Sequence, residues 1–160
     1  MSEKFTGKKE VVMDFCGDEE VIKNTLRKKG LLEKDDPRHK EIRTVLIAPG
    51  GGQRGVIQGA VGIGLKRVGV VESFDAWLGI SAGAAVGYYT LAGEPEMGTE
   101  IFYKENVDNR FIHFPRLRKI MDIDTLESVF RYKKTVDKET LRSSRTQFLI
   151  GLTNSLSGEG

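Results

Sequence analysis

The stretch WLGISAGAAVGYYTLAG, residues 77–93, decides how this chain is read. It is the most apolar run in the sequence, yet it is slightly short for a membrane span and full of glycine and alanine. A buried strand, a tight turn and a small-residue helix account for it better. FDAWLG, residues 74–79, suits a strand, and Ala82–Leu91 suits a helix. Between them Gly79-Ile80-Ser81-Ala82-Gly83 has the form G-x-S-x-G at a strand-to-helix junction, which is the form of a nucleophile elbow. A serine on so sharp a turn needs small neighbours two positions away on either side. Gly79 and Gly83 supply them, and Ala82 is small as well. The alternative is a tight turn whose small residues serve packing alone.

Upstream, APGGGQRGVIQG, residues 48–59, follows the apolar run that starts at Thr44. TVLIAP has the pattern of a short buried parallel strand. Arg54–Arg67 then carries Val56, Ile57, Ala60, Val61, Ile63 and Leu65 on a broad helical face. Gly55 and Gly59 lie four apart on one side of that helix. Each costs roughly 1 kcal/mol against alanine in a helix interior, so the helix is expected to press against a neighbouring backbone. Gly50, Gly52 and Gly55 also satisfy G-x-G-x-x-G, with Glu72 about where the ribose-binding acid of a dinucleotide site would stand. That reading leaves Arg54 and the serine elbow unexplained. Only one strand–helix–strand unit separates the two loops, and such crossovers join parallel strands. Thr44–Ala48 and Phe74–Leu78 are therefore expected to be adjacent, with both loops at one carboxyl edge. Gly51 and Gly52 could there turn their N–H groups to an acyl carbonyl attacked by Ser81, and the bare backbone would hold an oxyanion.

The rest of the chain fits around this centre. Residues 1–43 are charged with mixed sign and read as an extension. Within it a helix runs from Asp18, its cap, to Lys29, stopped by Gly30, with a thin stripe of Val21, Ile22 and Leu26. Asp35–Arg43 reads as a linker, and the domain spans residues 44–160. Glu96–Asn106 is expected to be a third helix, Asn109–Lys119 a basic, partly aromatic loop, and residues 146–154 a further strand. Asp124 with Glu127 resembles a capping box, and Asp137 can cap a short turn. Strands alternating with helices give the α/β class with a mainly parallel sheet. The composition, 39% hydrophobic and 30% charged with a net charge of +2, is globular and lacks the basic excess of a nucleic-acid binder. One cysteine, Cys16, and an N-terminal stretch without an apolar signal core set a cytoplasmic expectation. Of the two histidines, His39 falls in the linker and His113 between Ile112 and Phe114, where packing or solvent suits them better than catalysis.

APGGGQRG followed about thirty residues later by GISAG resembles the patatin-like phospholipase family. TVDKETLRSSRTQFLIGLTNSLSGEG is similar to that family's later strand region more loosely, so the resemblance runs from about Thr44 to the end. It implies a three-layer α/β/α sandwich and a Ser–Asp dyad without a histidine, acting on lipid or other carboxylic esters in the manner of a phospholipase A or lysophospholipase. It assigns Ser81 as nucleophile, Gly50, Gly51, Gly52 and Arg54 as the oxyanion loop, Ala82 as the residue after the serine, and Gly79 and Gly83 as the elbow. It implies no metal or other cofactor. The family's aspartate lies in a D-G-[AG] motif, which does not occur here. The expectation is an N-terminal piece of a longer protein, nearly inactive by itself. The expected partners are a lipid or ester substrate and, through the basic run Arg110–Lys119, transient contact with an anionic lipid surface. A non-catalytic interaction module and a dinucleotide-binding domain are the competing readings.

Overall fold

Three short strands set the frame: β1 (Val45–Ala48), β2 (Ala76–Ile80) and β3 (Gln147–Gly151). The computed structural model describes residues 18–31, 42–107, 111–112 and 121–160. Cys16, His39, His113 and most of the predicted linker and of the basic loop lie outside these residues. The strands form one parallel sheet in the order β1-β2-β3. The register pairs Ala48 with Gly79 and Trp77 with Phe148. The α/β class with a parallel sheet holds, and β1 and β2 are neighbours as expected. β2 starts two residues later than the sequence pattern gives, although the Asp75 backbone already bonds to Thr44 and Gln147 on the two flanking segments.

Helices α2 (Gly55–Arg67), α3 (Ala82–Leu91) and α4 (Pro95–Glu100) pack against one another, and α3 covers the sheet. Leu46, Trp77 and Phe148 form a row under α3. A Cβ on Gly87 would overlap the Trp77 indole, 2.6 Å from its Cδ1, and stand 2.9 Å from Phe148, so glycine is what lets this helix lie flat on the row. Trp77, only 2% exposed, donates its indole N–H to the Gly83 carbonyl at 3.2 Å. The opposite face differs from the expectation of a buried strand: Val45, Ile47 (63%), Ile80 and Leu149 are exposed. Helix α3 packs on all three strands from one face, and only alternate residues of TVLIAP are covered.

The glycines of α2 do mark close packing, but side chains rather than backbone do the pressing. Gly55 lies against Phe102, Gly59 against Thr99 and Gly62 against Thr90. The predicted helix 96–106 divides into α4 and a wider π-helical turn over Ile101–Glu105. Helix α5 (Ile123–Ser128) takes Asp122 as its cap, through a 3.4 Å bond from the Thr125 N–H, and Asp124 falls inside its first turn. Asp137 caps α6 (Lys138–Ser143) as predicted, receiving the N–H groups of Glu139 and Thr140. Such caps are worth about 1 kcal/mol each.

Helix α1 (Glu19–Lys29) is capped by Asp18 and ended by Gly30 at φ 81°. Its Val21 and Ile22 are exposed, whereas Asn24 and Thr25 are buried, so the apolar stripe is not the face it hides. Lys28 carries the attachment: it pairs with Asp75, which also accepts the Thr44 N–H at 2.6 Å. Burial pushes the Asp75 carboxyl up, but the bonds from Lys28 and Thr44 outweigh it and hold the group below its usual range.

Candidate functional site: a serine elbow beside a glycine loop

A single residue, Ser81, separates the last residue of β2 from the first of α3. To turn the chain so abruptly it takes φ 51° and ψ −117°, and it is the only non-glycine with positive φ among the described residues. These angles match the first central position of a type II′ turn, which normally requires glycine. The neighbours make room for it. A Cβ on Gly79 would sit 2.5 Å from the Cα of Ala84, and one on Gly83 would run into the Ala48 carbonyl at the end of β1. Ala82 is buried at 7% exposure, while Ser81 is exposed. The Ser81 carbonyl accepts the N–H groups of Ala84 and Ala85 at 3.0 and 3.2 Å, and its side chain makes no capping bond. The hydroxyl therefore stands at the N-terminus of α3, where the helix dipole favours negative charge.

The glycine loop leaves β1 at the same edge. A Cβ on Gly50 would be 3.3 Å from the Cβ of Ser81, so the two segments touch there. Gly51 is extended, Gly52 is left-handed at φ 54°, and a 3₁₀ turn over Gly52–Arg54 leads into α2. The Arg54 N–H closes this turn onto the Gly51 carbonyl at 3.1 Å. Neither the Gly51 nor the Gly52 N–H donates to a backbone carbonyl among the described residues. Arg54 is exposed and lies back against Gly51. The sequence reading missed two glutamines that brace this loop. Gln58 donates to the Pro49 carbonyl at 2.8 Å, and Gln53 reaches the Asn106 carbonyl at 2.9 Å. Gln58 follows Arg54 by one helical turn, and that spacing was the available signal.

A cavity of about 410 Å³ opens beside Ser81 and Gly52. It falls in the range of ligand sites and is lined mainly by apolar groups, including Ala85, Tyr88, Phe102, Phe130 and Phe148. Asn106, 5% exposed, also borders it, and its Oδ1 has no hydrogen-bond partner among the described residues. Among the described lining residues there is no carboxylate and no imidazole. Asp75 lies at the other end of the strands, and Asp122 and Asp137 serve as caps. No group of three His, Cys, Asp or Glu that could hold a metal occurs among the described residues.

Glu72 belongs to a turn ahead of β2, at the amino edge, where it borders a second, more polar cavity of about 480 Å³. It is therefore at the opposite end of the sheet from the loop it would have to serve in a dinucleotide site. Lys28, Lys29 and Lys66 surround that second cavity from the last turns of α1 and α2. There they complement the carbonyl ends of these helices.

No helix among the described residues is long and apolar enough to cross a membrane, and the run 77–93 is divided between β2, the elbow and α3. In comparisons with known proteins, the family model described as Patatin-like phospholipase matches residues 46–156. Neither the curated proteins nor the solved structures gave a match. The matched segment holds both the glycine loop and the elbow and spans more than half of the chain. The chain belongs to the patatin-like phospholipase family, a family of lipid hydrolases.

Proposed function

We propose that this chain carries the nucleophile and oxyanion loop of a serine acyl hydrolase acting on lipid or other carboxylic esters, of phospholipase A or lysophospholipase type. One observation carries the reading: a serine held at φ 51° on an elbow lies in contact with a loop of consecutive glycines. Strain of this kind persists where function uses it. Ser81 Oγ attacks the acyl carbonyl, and the N–H groups of Gly51, Gly52 and Ala82 receive the oxyanion. Removing one such donor typically costs about 3–4 kcal/mol of barrier. The apolar cavity takes the hydrocarbon of the substrate, and its lining favours lipid over a small polar ester. In the dyad that the family resemblance implies, an aspartate accepts the serine proton. No D-G-[AG] motif occurs in these 160 residues, and a serine without its base is a weak nucleophile at neutral pH. The basic run Arg110–Lys119 would meet the anionic surface on which such a lipid lies.

Labelling of the full-length protein, with the dyad aspartate present, by a fluorophosphonate is the test. One adduct mapping to Ser81 is expected, and Ser81→Ala should remove labelling and ester hydrolysis together. Hydrolysis retained in that variant would put the nucleophile elsewhere.

A further inference from the structure

The cavity beside Ser81 has a direction. Ser81, Ala85 and Tyr88 lie four and three residues apart and all border it, so they form one stripe down α3. Ala82 and Ala85 present only methyl groups along this wall, which leaves a groove. The groove ends in aromatic packing. Tyr88 meets Tyr89 edge-on with ring centroids 5.1 Å apart, and Phe130 at 6.5 Å. Behind this pair lies the buried cluster of Tyr89, Ile101 and Val129, each at most 2% exposed. Tyr88 and Phe130 both pack against that cluster.

We propose that Tyr88 is a specificity-determining residue that closes this groove as a length gauge for a single straight acyl chain of at most about eight carbons. The inference rests on the reading of Ser81 as the nucleophile, since that fixes where the chain begins. The distance follows from the helix. Seven residues from Ser81 to Tyr88 rise about 10 Å at 1.5 Å each. An extended hydrocarbon, with bonds of about 1.5 Å foreshortened by their tetrahedral zigzag, covers that length in roughly eight carbons. Shorter chains leave apolar wall uncovered, and longer ones must bend back towards solvent.

The test measures binding, which requires no catalysis. Straight-chain carboxylates of 4, 6, 8, 10 and 12 carbons compete with anilinonaphthalene sulfonate for the full chain. Affinity should rise about fourfold per added methylene up to about eight carbons and then level off. Tyr88→Phe should keep that plateau, and Tyr88→Ala should move it three to four carbons longer. Ala85→Leu, which fills the groove without touching its end, should move it shorter. Affinity that climbs steadily through twelve carbons in the wild type, or a plateau unmoved in folded Tyr88→Ala (or in Tyr88→Leu, where Tyr88→Ala does not fold), would overturn the gauge. The two readings fail separately. A plateau that responds to Tyr88 without Ser81 labelling sinks the hydrolase and keeps the gauge, whereas Ser81 labelling without length dependence sinks the gauge alone.

Discussion

Replacing Ser81 by glycine should make the protein more stable while removing the hydroxyl proposed as its nucleophile. Ser81 holds φ 51° and ψ −117°, a conformation that glycine adopts freely and other residues do not. Left-handed backbone costs a non-glycine residue about 1–2 kcal/mol. Glycine gives back about 0.5–1 kcal/mol through the greater freedom of its unfolded state. The net gain is roughly 0.5–1 kcal/mol, a rise of about 1–4 °C in Tm for a chain of this size. Ser81→Ala is the control. It keeps the Cβ and hence the strain, and it removes a hydroxyl that makes no capping bond, so its stability should stay within about 0.5 kcal/mol of the wild type. The assay is urea unfolding of the three proteins under one buffer, read at the midpoint with slopes compared to exclude a changed denatured state. Ser81→Gly falling below Ser81→Ala would refute the claim that the elbow stores strain.

Gly83→Ala should unfold the protein, at a cost above about 3 kcal/mol, because the new Cβ lands on the backbone carbonyl of Ala48 and no side-chain rotation can relieve it. Gly50→Ala, whose Cβ would meet Ser81 at 3.3 Å, should lower Tm by no more than about 4 °C while slowing fluorophosphonate labelling of Ser81 at least tenfold. Equal labelling rates in that variant and the wild type would separate Gly50 from the reacting centre. Hydrogen bonds from Lys104 and Lys134 hold the Glu100 carboxyl down to about 2, and the Lys134 bond, at 2.5 Å, ties α4 to the segment after α5. A carboxyl depressed in the folded state stabilises above its unfolded value and loses that contribution as pH falls through the folded one. Tm should therefore drop more steeply between pH 5 and pH 2 in the wild type than in Glu100→Gln, and parallel curves would remove Glu100 from the acid response.

The elbow and the glycine loop were legible because backbone geometry writes itself into residue type. Gly79 is required by the turn itself, within five residues, and Gly52 by its own left-handed backbone, whereas Gly83 makes room for the Ala48 carbonyl of the neighbouring strand. The cavity was not legible. Gly52, Tyr88, Phe111, Phe130 and Phe148 come from five separate segments, and nothing in their spacing along the chain brings them together. The cap of α5 shows a finer limit. Asp122 and Asp124 are the same residue type two positions apart, and only the placement of Ile123 in the first turn chooses between them. The burial of β1 failed for another reason: an apolar run states what a strand could hide, and its neighbours decide what it does hide.

What joins the two motifs is the register of β1 on β2. Ala48 pairs with Gly79, so β1 ends level with the elbow. That single alignment brings the Ala48 carbonyl against Gly83 and Gly50 against Ser81. A slip of one residue would send every side chain of β1 to the other face of the sheet. It would expose Leu46 and Ala48 in place of Val45 and Ile47, withdraw Leu46 from its row with Trp77, and carry the glycine loop away from the serine. The packing of Leu46 and Ala48 beneath α3 therefore holds the glycine loop against Ser81 as well as the fold. A substitution that weakens this packing should lower Ser81 reactivity before it lowers the helical content of the chain.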